Sequence, residues 1–327
     1  MINRYANLLF TIGRYLERAE NYARIININY TMRHDLKDSE QGYAWERLAA
    51  AVGDVNELKH RYPHANEWTI LNYLTFEQSN PDCLLSTIQQ VRNHIRTIRP
   101  MLPVELWDII NAFYLWLKDQ DVSHVMAQSP YLFYKRISES LSLFNGAADS
   151  AMVRGENWNL LQAGKFLERI RHTLYLVNAS YSHLITDAEW LDDENRYNRL
   201  MVLLKSCGGY EAFRKFHANH MKLSEVMVFL LQNSEFPRSV QFATTSLRGY
   251  LESDPVQLPS IEALSNQVSY VIACIRANQQ DSGEINQGDE LRLIQQLLDS
   301  YNDLRLGLSE GFFQEATHSV MVHVGGR

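Results

Sequence analysis

The chain has 327 residues, a formal net charge of −7 at pH 7, 46% hydrophobic residues and 21% charged residues. This composition is typical of a folded globular protein and excludes the disordered and collagen-like classes. The acidic balance disfavours broad binding to nucleic acids, because their phosphate groups would be repelled. With only 15 glycines and 8 prolines, the chain has too few turn residues for a β-sandwich, so composition favours a helical fold.

The first thirty residues show the clearest helical period. Apolar side chains recur at steps of three and four from Tyr5 to Ile26, which places them on one face of a helix. Polar residues recur with the same spacing on another face, namely Arg14, Glu17, Arg18 and Asn21. The pattern predicts a long helix with two distinct faces.

Further helices are indicated by their first residues and by apolar periodicity. Asn80-Pro81 and Ser129-Pro130 each read as an N-cap followed by proline in the first turn, and Pro103 opens another apolar segment. No segment shows a convincing strand alternation, so the sequence predicts an all-α multi-helix bundle. The later helices are expected around 158–185, 190–206, 223–232, 238–252, 260–279 and 287–315. Linkers are expected near 61–66, 121–128, 253–259 and 280–288.

One motif occurs twice. Gly13-Arg14-Tyr15-Leu16-Glu17-Arg18 recurs as Gly164-Lys165-Phe166-Leu167-Glu168-Arg169. A glycine inside a helix costs about 1 kcal/mol relative to alanine, and its usual benefit is the close approach of a second helix. We therefore expect one helical domain over residues 1–327, open to division into two pseudo-symmetric halves at about 1–150 and 151–327.

The repeated Glu-Arg pair has two interpretations. Neighbours on a helix point about 100° apart, so Glu17 and Arg18 find partners on other helices rather than each other. In the structural interpretation the two copies cross-pair, Glu17 with Arg169 and Glu168 with Arg18. In the functional interpretation these charges line a polar cleft that holds a ligand or a partner.

Other polar stretches carry weaker signals. The segment that ends at Asn80-Pro81 could bind an anion at a helix N-terminus or serve as a cap alone. Arg154 and Trp158 lie in a stretch of mixed charge just before the second Glu-Arg helix. Arg238 stands at a predicted helix start, where it needs a carboxylate from the protein or from a ligand.

Three pairs of side chains have the i, i+3 spacing that metal ligands take in helical bundles. The two Glu-x-x-His pairs do not lie on a long helix flanked by an apolar core, and the His-x-x-His pair has no neighbouring carboxylate on its face other than Glu211. We therefore expect no metal site. Nucleotide-binding and nucleophile-elbow motifs are absent, and no cofactor is expected. The metal candidates are Glu57-x-x-His60, His217-x-x-His220 and Glu315-x-x-His318.

The expected location is the cytoplasm. The longest apolar run, at 226–231, is far short of a membrane helix, and the first residues lack a hydrophobic signal core. The three cysteines, Cys83, Cys207 and Cys274, show no CxxC spacing, which suits a reducing compartment.

The combined motifs resemble those of the alpha-E family, bacterial all-helical proteins named for a recurring Glu-Arg motif. The resemblance covers nearly the whole chain in order. It departs from the family pattern at Asn93 and Arg171, where acidic residues are usual, and at the second motif, where Gly-Lys-Phe replaces Gly-Arg-Tyr. The residues that carry it are Gly13 to Glu20, Leu74 to Phe76, Asn80-Pro81, Trp107, Asn111, Met152, Arg154, Trp158, Glu168-Arg169 and Phe236 to Val240.

The resemblance implies an association with amide-bond chemistry. Alpha-E proteins are similar in genomic context, since they occur beside or fused to circularly permuted ATP-grasp ligases. We therefore expect a partner or co-catalytic subunit of such a ligase, acting in small-peptide synthesis or tagging. Two alternatives stay open: an acyl- or aminoacyl-transfer enzyme with Glu17 or Glu168 as acid/base, and a purely structural scaffold.

The partners expected are the ligase and a small peptide or amino acid, with no nucleic acid and no membrane. The oligomeric state and the role of the C-terminal tail, 320–327, stay open. The candidate substrate- or partner-binding residues are Arg14, Glu17, Arg18, Asn80, Arg154, Trp158, Glu168, Arg169 and Arg238.

Overall fold

The fold is described from a computed structural model. It covers residues 3–32, 48, 51–52, 58, 60–62, 65–186, 193–217, 221–251, 258–280 and 287–313. Within these ranges the regular structure is α-helical apart from one short 3-10 helix, Arg99–Met101, and there is no strand. The prediction of an all-α bundle is confirmed.

The helices whose first and last residues are described are numbered in chain order. They are α1 (Asn3–Met32), α2 (Glu67–Thr75), α3 (Leu84–Thr97), α4 (Val104–Lys118), α5 (Val122–Gln128), α6 (Pro130–Ala151), α7 (Glu156–Thr186), α8 (Asp193–Ser206), α9 (Tyr210–Phe216), α10 (Leu223–Gln232), α11 (Val240–Leu251), α12 (Leu258–Gln280) and α13 (Gln287–Phe313).

The predicted linker at 121–128 is wrong, because these residues form α5. Asp121 is the N-cap, and its side chain accepts a hydrogen bond of 2.8 Å from the backbone N–H of His124. The helix buries Val122 and Val125 in an otherwise polar stretch. Seven residues with two buried valines are too short for a periodic signal, which is why the sequence suggested a linker. The linkers predicted near 253–259 and 280–288 lie mostly outside the described residues.

Two helix starts were predicted from an N-cap residue followed by proline, and the structure confirms one of them. Ser129 caps α6 as predicted, with Pro130 as the first helical residue. Asn80 does not cap α3. The N-cap is Cys83, whose sulfur accepts a hydrogen bond from Ser86 N–H at 3.3 Å.

The two long helices α1 and α7 pack along each other at the centre of the bundle. Gly13 of α1 lies against the backbone of Leu161, and Gly164 of α7 lies against the backbone of Phe10. In both places an added Cβ atom would overlap the opposing carbonyl oxygen. Both pairs of positions are separated by 151 residues, the separation of the two Glu-Arg motifs, so the crossing is pseudo-twofold symmetric. The expected close approach at these glycines is confirmed.

The remaining helices surround this central pair. α3 and α6 pack on α1, whereas α11 and α13 pack on α7. Buried apolar residues from every one of these helices belong to one continuous core. None of the described helices is both long enough and apolar enough to cross a membrane. The division into two halves stays a prediction, with the helix crossing in its favour.

Candidate functional site

The repeated Glu-Arg pairs meet where α1 and α7 cross. Arg18 donates from Nε to Glu168 Oε1 at 2.7 Å and from Nη2 to Oε2 at 3.1 Å. Arg169 donates from Nε and Nη2 to the two oxygens of Glu17, each at 2.9 Å. Both contacts are bidentate and both carboxylates are buried. The predicted cross-pairing is confirmed, and it locks the two helices in register.

Glu168 is surrounded by further cations. Arg14 donates to its Oε2 from Nε at 3.2 Å, and Arg171, one turn further along α7, lies 3.4 Å from Oε1. Arg18 also pairs through Nη1 with Asp82, which lies in the loop before α3. This side of the cluster therefore contains three arginines and two carboxylates.

Glu17 has an equivalent environment. Besides Arg169, it accepts a hydrogen bond of 2.6 Å from Nη1 of Arg238, whose Nη2 pairs with Glu20. Lys165, the counterpart of Arg14, adds a nearby positive charge. Arg24 also pairs with Glu20 at 3.3 Å, so this side contains four bases and two acids. The expectation that Arg238 needs a carboxylate is met by the protein itself.

Two loops bring additional charges to the cluster in similar ways. Asp82 follows Pro81 and precedes the cap Cys83, while Arg238 follows Pro237 and precedes Ser239. Ser239 Oγ accepts a hydrogen bond from Phe242 N–H at 3.0 Å, as Cys83 accepts one from the third residue after it. The two loops are thus alike in form but carry opposite charges.

Charge, rather than burial, decides the protonation of the two carboxyl groups. Burial alone would raise the pKa of Glu17, but the guanidinium groups of Arg169 and Arg238 outweigh it and hold that pKa well below its usual range. Burial would also raise the pKa of Glu168, yet Arg18 and Arg14 outweigh it, and the pKa is lowered. Both side chains are therefore ionised at neutral pH.

A second polar group lies beside the Glu17 side of the cluster. Arg24 donates to the carbonyl oxygen of Ser206, at the end of α8, at 2.9 Å. Burial, reinforced by the charge of Arg238, lowers the pKa of Arg24 to about 10. Burial, together with Arg24 and Arg238, also lowers the pKa of His172 well below its usual range. His172 is therefore neutral, and its Nε2 has no hydrogen-bond partner.

Three predicted site residues do not reach the charge cluster. Asn80 is buried, where it donates to Tyr73 O and accepts from Asp82 N–H, both at 3.0 Å. Its polar atoms therefore shape the Asp82 loop. Arg154 is half exposed, pairs with Asp149 and stacks 3.8 Å from the ring centre of Trp158. It precedes α7 and stands about 20 Å along the helix from the cluster, given 1.5 Å per residue.

Sequence reasoning missed several members of the cluster. Asp82 lies in a loop, so helical spacing gave no sign of it. Arg171 was noted only as a departure from the resemblance, and Lys165 only as a replacement for arginine. The offset of 151 residues was the available signal, because it relates Lys165 to Arg14, Arg171 to Glu20 and His172 to Asn21.

Among the described residues, the cavity that borders the cluster is small. A cavity beside Glu17, Lys165, Gln162 and Asn145 has room for about one water molecule. The described part of the chain contains no group of three or more His, Cys, Asp or Glu side chains that could hold a metal. Of the predicted metal candidates, Glu57, His220, Glu315 and His318 lie outside the described residues.

Comparisons with known proteins agree with this arrangement. The model of the Alpha-E family, described as a predicted alpha-helical domain with a conserved ER motif, matches residues 1–313. Uncharacterized proteins of Mycobacterium bovis and Mycobacterium tuberculosis are 23% identical over 265 residues, which is 76% of this chain and 29% of theirs. The chain thus matches under a third of the length of these curated relatives. No solved structure matches.

Proposed function

The chain belongs to the Alpha-E family, and on that premise we propose that it is the helical partner or co-catalytic subunit of an ATP-grasp-type amide ligase. In this role it binds the ligase, and through it a small peptide or amino acid, while the ligase supplies the ATP site. The Glu-Arg cluster holds the two central helices rigid so that the binding surface keeps its shape.

The observation that carries the proposal is that arginines pair with both candidate catalytic acids and keep them ionised. A general acid or base works best with a pKa near the operating pH. Glu17 and Glu168 have lowered pKa values, and arginines occupy both oxygens of each carboxylate. They suit a fixed ion-pair lock better than proton transfer, which favours a partner role over an acyl-transfer enzyme.

The length of the curated relatives supports a role beside other domains. The matching region makes up 29% of those chains, so a similar helical unit lies within a much longer polypeptide there. A unit that works next to another domain needs a docking surface, not a complete active site of its own.

We propose that the ligase binds at the exposed surface around Arg154 and Trp158, where the chain passes from α6 to α7. The guanidinium stacks on the indole, and the neighbouring Val153 is 86% exposed. Arginine and tryptophan are enriched among residues that dominate the energetics of protein interfaces. Arg136 stacks on Trp116 in the same way, 4.2 Å from the ring centre, and serves as a matched control.

The test is co-purification with a circularly permuted ATP-grasp ligase from the same organism, followed by amide-formation assays with each protein alone and together. We expect a complex that Arg154→Ala weakens and Arg136→Ala leaves intact. Absence of a complex, together with full ligase activity without this chain, would refute the proposal. Loss of turnover in Glu168→Gln, with fold and complex intact, would instead favour the enzyme alternative.

A further inference from the structure

A polar groove between α11 and α12 lies outside the Glu-Arg cluster and outside the surface assigned to the ligase. It encloses about 330 Å³, which is within the range of small-molecule sites. Gln241, Thr244, Thr245 and Arg248 line one wall. These positions are three to four residues apart and form a stripe about 10 Å long on α11.

The facing wall belongs to α12. It consists of Ile261, Glu262, Ser265 and Asn266, which again share one helix face. Ile261 is buried and supplies the apolar part of the lining, whereas Glu262 and Asn266 are exposed. Except for Ile261, every residue on the two walls carries a hydrogen-bonding side chain.

Thr244 gives the groove an unused hydrogen-bonding group. The residue is 2% exposed, and its hydroxyl has no hydrogen-bond partner. A buried hydroxyl without a partner costs free energy, since it has lost its contacts with water. The hydroxyl oxygen lies beneath the groove surface, so a small movement of the side chains above it would let a ligand carbonyl or amide supply the missing partner.

Opposite charges stand at one end of the groove. Arg248 Nη2 lies 3.5 Å from Glu262 Oε1, and both side chains are about half exposed. An exposed pair with this spacing contributes little to stability, so separating it costs little. Arg248 can then receive a carboxylate and Glu262 an ammonium group, while Gln241 and Asn266 offer amide contacts.

We propose that this groove binds a free amino acid or short unblocked peptide, recognised by its terminal charges and, in a peptide, by its backbone amide groups. Arg248 binds the carboxylate and Glu262 binds the ammonium group. In a peptide the Thr244 hydroxyl also bonds to a carbonyl oxygen. The site stands whether or not the chain binds a ligase, because all of its groups belong to this chain.

A second groove has a similar volume and a positive charge but no acidic side chain, so it does not fit the same ligand. The groove beside Trp116 and Arg136 has a similar volume, about 310 Å³. There the guanidinium is stacked on the indole, and no acidic side chain lines the groove to receive an ammonium group. It lacks the paired charges that would recognise both ends of an amino acid.

The experiment is saturation-transfer difference NMR on the full chain. The probes are the twenty free L-amino acids, the unblocked alanyl dipeptides, and the same dipeptides with acetylated and amidated ends. We expect at least one unblocked probe to bind and its blocked form to bind about tenfold more weakly or not at all, because each charged contact is lost. If no unblocked probe binds, or if the blocked forms bind equally well, the proposal is wrong.

Variants separate binding from folding. Arg248→Gln and Glu262→Gln should each weaken the bound probe about tenfold, while Arg96→Gln, an exposed arginine on α3, should not. Thr244→Val should also weaken binding, yet leave the unfolding stability unchanged or higher, because it removes an unpartnered hydroxyl. If Arg248→Gln and Glu262→Gln both bind the probe with full affinity, the proposed binding site is wrong.

Discussion

The crossing of α1 and α7 leads to a prediction about the change in the free energy of unfolding on Gly13→Ala. The sign of that change shows whether helix packing or helix propensity dominates at this position. Gly13→Ala should stabilise an isolated helix by about 1 kcal/mol. In the folded protein its Cβ atom would overlap the carbonyl oxygen of Leu161 and stand 3.0 Å from Lys165 N. These are backbone atoms, so no side-chain rotation can relieve the overlap. We therefore expect destabilisation.

The magnitude follows from how the overlap can be relieved. The two helices have to separate until the Cβ atom is in ordinary contact, which loosens the core and stretches the bidentate bonds of 2.7 to 3.1 Å between Arg18 and Glu168. Overpacking of this kind typically costs about 1–3 kcal/mol. Gly164→Ala should cost a similar amount. The double variant should cost less than the sum, because one separation serves both sites.

Urea unfolding monitored by circular dichroism measures these free energies. Gly146→Ala on α6 is the matched control, since nothing lies within 4 Å of the added Cβ atom. We expect it to raise the free energy of unfolding by about 0.5–1 kcal/mol. If Gly13→Ala stabilises the protein as Gly146→Ala does, the close backbone contact between the helices does not exist.

Three further predictions test the cluster and its surroundings, each by urea unfolding. Glu17→Gln should lower the free energy of unfolding by about 3–5 kcal/mol, because the buried Arg169 loses its counterion; a loss below about 1 kcal/mol would contradict a buried lock. The pKa of His172 is lowered in the fold, so below pH ~6.5 the unfolded chain binds the extra proton and stability falls by up to about 1.4 kcal/mol per pH unit. His172→Asn should remove this slope between about pH 6.5 and 5, whereas His124→Asn, on the surface, should not. Arg171→Glu and Asp82→Arg should each destabilise, but together less than their sum, with a coupling of about 0.5–3 kcal/mol; strict additivity would contradict charge balance within this half of the cluster.

Much of the fold could be predicted because long helices repeat their pattern many times. α1 shows eight apolar positions at helical spacing, and the repeated motif fixed which residues of α7 correspond to it. The cross-pairs followed from one argument, that Glu17 and Arg18 cannot bond each other on the same helix. The structure agrees with that argument at both pairs.

The parts that could not be predicted depend on contacts between elements distant in sequence. Asp82 reaches Arg18 only because Asn80 folds the preceding loop back onto Tyr73. The same loop moves the helix start from Asn80 to Cys83, since the asparagine side chain is already used. The groove at Thr244 needed the relative placement of α11 and α12, which no single-helix pattern contains.

The two halves of the cluster place charges at different positions around their buried carboxylates. Glu20 corresponds to Arg171, and Asp82 occupies the place that Arg238 takes in the other loop, so an acid and a base are interchanged in each half. Two acids face three bases on the Glu168 side and four bases on the Glu17 side, where Arg24 also pairs with Glu20. Catalysis depends on particular groups at particular points, whereas an electrostatic lock needs only an excess of positive charge around each buried carboxylate. Because both sides keep that excess although the positions differ, the cluster suits the role of holding the helix crossing better than it suits catalysis.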